Sequence, residues 1–113
     1  MEDSPMSITP IPLNVLSSDL GVGILTPGWN LDVAGTDADE PRSFSVPVVF
    51  AAEFSSVPVV HLGLTGLDVD QRDSSRVTLR AENISPSGFL AVISTWAGSR
   101  VFSVEFNWLA IGA

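Results

Sequence analysis

The sequence predicts an all-β fold, a compact antiparallel β-sandwich, and three observations carry that reading. Apolar residues recur at every second position in several short segments, the period of a half-buried strand. Gly, Pro, Asp and Ser, the residues that close turns, separate those segments. No segment combines a helical period with capping residues at its ends. Short strands at such spacing belong in two packed sheets.

Taken in order, residues 1 to 25 contain Pro5, Pro10 and Pro12, followed by an apolar stretch broken by Ser17, Ser18, Gly21 and Gly23. Proline fixes φ and removes a backbone donor, so this part reads as an extended N-terminal arm or an added edge strand. Residues 26 to 113 form the sandwich domain proper. It opens with a polar loop, Gly28 to Arg42, rich in Asp, Gly and Pro. Phe44, Val46, Val48 and Phe50 then alternate with Ser43, Ser45, Pro47 and Val49, a strand whose proline needs a sheet edge or a bulge.

Val57 to Leu67 is a second strand, apolar on both faces, and Arg76 to Glu82 alternates polar and apolar residues as a half-buried antiparallel strand does. Ser85-Pro86-Ser87-Gly88 supplies a turn, and Phe89 to Trp96 is a further strand. Arg100 to Ile111 is the last and longest. Its alternation puts Phe102, Val104, Phe106, Trp108 and Ala110 on one face, with Phe106 and Trp108 in the core. His61, the single histidine, lies among valines and leucines and reads as a core or interface residue.

Composition narrows the function. Hydrophobic residues make up 45% of the 113 and charged residues 16%, which excludes a disordered chain and leaves more apolar surface than a small monomer buries. Thirteen acids face five basic residues, all Arg, for a net charge of −8. Nucleic acid and anionic membranes both demand clustered cations, so neither is an expected partner. Without cysteine there is no disulfide, no thiolate zinc site and no thiol nucleophile. A chain beginning Met-Glu-Asp-Ser, with no apolar run of about 20 residues, suggests a cytoplasmic protein or one exported without a signal peptide, with no membrane insertion.

Several strings occur in sequence between Pro58 and Ile111: Gly66-Leu67-Asp68, Arg76, Asn83-Ile84-Ser85-Pro86-Ser87-Gly88-Phe89, Ser94-Thr95-Trp96 and Phe106-Asn107-Trp108-Leu109-Ala110-Ile111. Together they resemble the H-type lectin domain, the carbohydrate-binding module of snail agglutinins and of the carboxy-terminal part of discoidins. The resemblance implies a β-sandwich that trimerises and binds N-acetylgalactosamine between subunits. It implies a sugar site of Arg76, Trp96, Phe102 and Asp39, with backbone contributions from Asp37 and Ala38. The chemistry of such a set is coherent. A carboxylate only accepts from sugar hydroxyls, a guanidinium only donates, and an indole forms a flat wall against ring C–H groups.

Two departures bear on specificity. Ala97 stands where the snail lectin has His, and Phe102 where it has Tyr, so two polar contacts are missing. Each residue also has a plainer reading. Trp96 can be packing at a strand end, Arg76 can pair with Asp70, Asp73 or Glu82, and Asp39 can be part of a solvated turn, or Asp37 can take its role. The sequon Asn83-Ile84-Ser85 lies within the turn motif and is not an expected glycosylation site.

Enzymatic readings lack parts. A catalytic triad would have to use His61 in mid-strand, a glycosidase needs two carboxylates across a cleft, and no phosphate loop or metal-ligand spacing occurs. The expected function is therefore a non-catalytic lectin for galactose-type sugars, without cofactor or metal. Its partners would be glycans on glycoproteins or cell-surface polysaccharide, engaged by a homotrimer or hexamer in a role such as cell adhesion. The competing reading is a structural trimerisation or attachment module, for example part of a phage fibre or surface assembly, with a degenerate site.

Overall fold

The structure, a computed structural model, describes residues 12–33, 40–72 and 74–113. Six strands follow in chain order: β1 Asn14–Gly23, β2 Arg42–Val49, β3 Val59–Val69, β4 Thr78–Ser85, β5 Gly88–Thr95 and β6 Val101–Gly112. They form two three-stranded antiparallel sheets, β1-β6-β3 and β2-β5-β4. The expected all-β sandwich is the fold observed.

Each sheet is built around its most apolar strand. In β6, Val104, Phe106 and Ala110 are wholly buried and Trp108 nearly so, while Ser103, Glu105, Asn107 and Leu109 face outward. In β5, Phe89, Ala91 and Ile93 face the same core. Phe50, Phe54, Phe89 and Trp108 close one end of the sandwich, with Phe50 and Trp108 ring centroids 5.5 Å apart and Phe89 and Trp108 5.6 Å apart. Interlocking rings of this kind add to the burial of their area.

β1 is an edge strand, paired with β6 from Asn14↔Gly112 to Gly23↔Ser103. β2 is the edge of the second sheet, where Pro47 removes a backbone donor without breaking an interior ladder. The β4–β5 turn is tied by Ser85 Oγ, which accepts from Ser87 N at 3.2 Å. Gly88 follows because a Cβ there would lie 2.2 Å from the Val48 carbonyl oxygen.

Two expectations need correction. The register between β3 and β6 shifts where Asp68 pairs Ser103 and Val69 pairs Val101, leaving Phe102 as an extra residue. This bulge breaks the alternation read across the strand. Val101 is therefore wholly buried, and Phe102 is only half-buried instead of continuing the core face. His61 is not a core residue of the single chain: it pairs with Leu109 on the outer face of the first sheet and is exposed.

Candidate functional site

Three connections meet at one end of the sandwich, those that follow Gly23, Val69 and Thr95. Leu31 fills the space beneath them, wholly buried, and its carbonyl accepts from Val101 N at 2.7 Å. Trp29 Nε1 donates to the Val101 carbonyl at 2.9 Å. Arg42 points inward and donates to the carbonyls of Val33 and Ser99. A half-buried guanidinium between two carbonyls ties the first connection to the third.

Asp70 organises the same end. Its carboxylate accepts from Arg72 Nε at 2.9 Å, Arg72 Nη2 at 2.6 Å and the Arg72 backbone N at 3.0 Å, with Arg100 Nη2 at 3.4 Å. The Arg72 side-chain and backbone hydrogen bonds hold the Asp70 carboxyl well below the usual carboxylate range. A group held ionised in this way has no proton to donate as a general acid. This hub was not legible in the sequence, where Asp70 was one of several possible partners for Arg76; the Asp70-Gln71-Arg72 spacing was its only trace.

Arg76 and Trp96 are brought together. The β4–β5 register runs to Thr78↔Ser94, and continuing it by two residues sets Arg76 opposite Trp96. Thr95 Oγ1 donates to the Arg76 carbonyl at 2.5 Å, which locks the two segments beside each other. Val77 packs toward the core, so Arg76 and Thr78 alternate to the other face of the sheet, where both are half-buried. Trp96 is 36% exposed at the head of a tight turn, in which Ser99 N donates to the Trp96 carbonyl at 3.2 Å. Ala97 and Gly98 take positive φ, 56° and 78°, as the two central residues of that turn. Among the described residues no hydrogen bond or ion pair engages the Arg76 guanidinium: Asp70 belongs to Arg72 and Arg100, and Glu82 binds Arg80 at 3.0 Å.

Phe102 lies elsewhere. It lines a groove of about 290 Å³ with Asp68, Glu105, Ser103 and the Gly21–Thr26 segment, and neither Arg76 nor Trp96 borders that groove. Asp37, Ala38 and Asp39 fall outside the described residues. Of the six expected site residues, then, Arg76 and Trp96 lie near each other by continuation of the β4–β5 register, and Phe102 lines grooves that neither of them borders. Asp68 and Glu105, beside Phe102, were not among the expected site residues. They pair with Ser103 and Gly66 on the first sheet's outer face, a placement that depends on the bulges.

A half-buried arginine and a partly exposed indole on neighbouring segments are the kinds of donor and flat wall that a hydroxylated ring requires. Among the described residues no cluster of three His, Cys, Asp or Glu side chains is placed to hold a metal ion.

Comparison with known proteins bears on the family and the fold. The chain is 41% identical over 73 residues to the ATP synthase subunits region ORF 7 protein of Fuscovulum blasticum, covering 65% of this chain and 64% of that one. It is 33% identical over 70 residues to a discoidin-1 of Dictyostelium discoideum, covering 61% of this chain but 28% of the discoidin. The chain thus spans less than two thirds of each of these relatives. Wild-type discoidin II of Dictyostelium discoideum superposes with a TM-score of 0.73 at 25% identity, over 88% of this chain and 36% of that one. The tailspike gp61 of Pseudomonas phage phi297 shares the fold alone, with a TM-score of 0.53 at 11% identity over 88% of this chain and 15% of the tailspike. The model of the H-type lectin domain matches residues 45–111, from β2 through the end of the β6 core, and the chain belongs to that family.

Proposed function

We propose that this domain is a non-catalytic, metal-independent lectin that binds galactose-type sugars, N-acetylgalactosamine foremost, at sites shared between the protomers of a homotrimer. What supports the proposal is the hydrogen bond from Thr95 Oγ1 to the Arg76 carbonyl, which sets the Arg76 segment next to the chain that leads into the partly exposed Trp96, with no hydrogen bond or ion pair on the Arg76 guanidinium among the described residues. Arg76 donates to a sugar hydroxyl or carbonyl, and Trp96 stacks on the ring. Asp39 accepts from two hydroxyls, and the backbone of Asp37 and Ala38 adds a donor. Phe102, which lines grooves that neither Arg76 nor Trp96 borders, comes from a neighbouring copy. Ala97 and Phe102 lack the polar atoms of the family's His and Tyr, which broadens or weakens selectivity.

One monosaccharide gives an affinity on the order of millimolar, about −4 kcal/mol. Useful adhesion then depends on several sites engaging one glycosylated surface, where linkage adds roughly 10²–10⁴. The exposed apolar residues of the first sheet, Val15 at 58% and Val59 at 73%, favour association. A glycan array probed in EDTA tests the reading. Signal on terminal galactose or N-acetylgalactosamine is expected; signal confined to other sugars removes the specificity. Silence on every glycan favours the attachment-module reading.

A further inference from the structure

Two tight turns follow one another directly after β1, and only the second is made of turn residues. There Trp29 N donates to the Thr26 carbonyl at 3.1 Å around Pro27 and Gly28, and Gly28 takes a positive φ of 83°. Such a turn calls for that pair. In the first turn Thr26 N donates to the Gly23 carbonyl at 2.7 Å, and the two central residues are Ile24 and Leu25. Neither joins the core, for Ile24 is 56% exposed and Leu25 95%. The turn is firmly held all the same, because Gly23 N donates to Thr26 Oγ1 at 3.0 Å and Ile24 N to the Phe102 carbonyl at 2.9 Å. Two large apolar side chains therefore stand in water on a fixed support, the preorganised form of a contact surface.

The same turn and Phe102 line the groove of about 290 Å³, and Asp68 and Glu105 line it with them. Glu105 leans over β3 because Gly66 leaves it room: a Cβ at Gly66 would sit 2.7 Å from Glu105 Oε1, and Asp68 follows Gly66 on the same face of the strand. Neither carboxylate has a hydrogen bond or ion pair among the described residues, and no Arg lines the groove. Two unpartnered like charges on one rim repel each other, and a cation placed against them relieves the repulsion. The groove thus asks for an apolar body and a positive charge together.

We infer that this groove docks an extended segment of a different protein, one in which an apolar side chain stands two residues from a Lys or Arg. Side chains at that spacing project from the same side of an extended chain, about 7 Å apart. The apolar one lies against Ile24, Leu25 and Phe102, and the cation meets Asp68 and Glu105. An acidic segment is repelled by both carboxylates, and a wholly polar one leaves the apolar turn in water. A second copy of this chain does not supply the pair: its two runs with that spacing, Arg42 to Phe44 and Arg100 to Phe102, have their arginines engaged by the carbonyls of Val33 and Ser99 and by Asp70. The inference stands apart from the sugar reading, since neither Arg76 nor Trp96 borders this groove. Phe102 also borders a second groove, with Val69, Asp70 and Arg72, and that flank is the one assigned to the sugar held by a neighbouring copy.

The probe is a fluorescein-labelled peptide with Leu-Ser-Arg at the centre of a Gly-Ser chain, titrated with the full chain and followed by fluorescence anisotropy. Saturable binding is expected, and it should be roughly tenfold weaker when the central run is Leu-Ser-Glu or Ser-Ser-Arg. Leu25→Ser, and separately the double variant Asp68→Asn/Glu105→Gln, should each weaken binding of the Leu-Ser-Arg peptide by about tenfold while keeping the wild-type thermal melt, because all three side chains are exposed. No binding of that peptide, equal binding of the Leu-Ser-Glu peptide, or undiminished binding by either folded variant overturns the inference. If a variant does not fold, the three peptides compared on the wild-type chain decide the matter alone. No sugar enters the titration, so a failure of the sugar reading leaves these results unchanged, and a failure here leaves the sugar site standing.

Discussion

Arg76 and Trp108 carry opposite burdens, and the contrast is measurable. Arg76 faces outward with its guanidinium unengaged among the described residues, so Arg76→Ala should cost sugar affinity roughly 1.5–3 kcal/mol, the worth of a charge-assisted hydrogen bond, and leave the melting temperature nearly unchanged. Trp108 is 7% exposed and packed against Phe50 and Phe89. Its truncation to Ala should cost about 3–5 kcal/mol of stability, read by urea denaturation. Asp70 tests the hub. Its pKa is depressed in the folded state, so the stability it contributes is present above the ordinary carboxylate pKa of about 4 and is lost as pH falls below that value. Asp70→Asn should therefore melt lower than wild type at pH 7, and the gap should close as pH falls from about 4 toward about 2. Arg76 and Trp96 were named together from the resemblance to the H-type lectin domain, since no local pattern in the sequence links one to the other. The Asp70 hub was not, because Arg100 reaches it from thirty positions away across a loop whose path no local pattern encodes.

At the scale of the element, what decides is where a side chain has no room. Gly88 sits under the Val48 carbonyl, a rigid neighbour, so Gly88→Ala forces the β2–β5 backbone apart and should lower the urea-derived stability by about 1–3 kcal/mol. Gly63 is nearly as close by distance, but its neighbour is the Asn107 side-chain oxygen at 2.6 Å, the end of a side chain free to turn away. Gly63→Ala should fall within about 0.5 kcal/mol of wild type. Strands were readable where the period of two was unbroken, as in β2 and in β6 from Val104 onward. The reading failed at Phe102, since a bulge adds one residue and reverses every side chain beyond it, a change set by the partner strand and not by local residue type. Of the two readings of His61, core or interface, the core one fails for a related reason: an apolar neighbourhood in sequence does not say which face of a pleated strand meets the core.

For the whole molecule, two three-stranded sheets bury one core and leave valines exposed on both outer faces. Static light scattering of the wild type should return an oligomeric multiple of 11.9 kDa. The fold class was legible because alternation, turn residues and the absence of capped helices agree with one another. The proposed sugar site is tested most directly by titrating N-acetylgalactosamine into wild type and Arg76→Ala in EDTA, with heat of binding as the readout. Saturable binding on the order of millimolar by the wild type, lost in a variant of unchanged melting temperature and mass, is the expected result; wild-type binding that survives Arg76→Ala undiminished contradicts it.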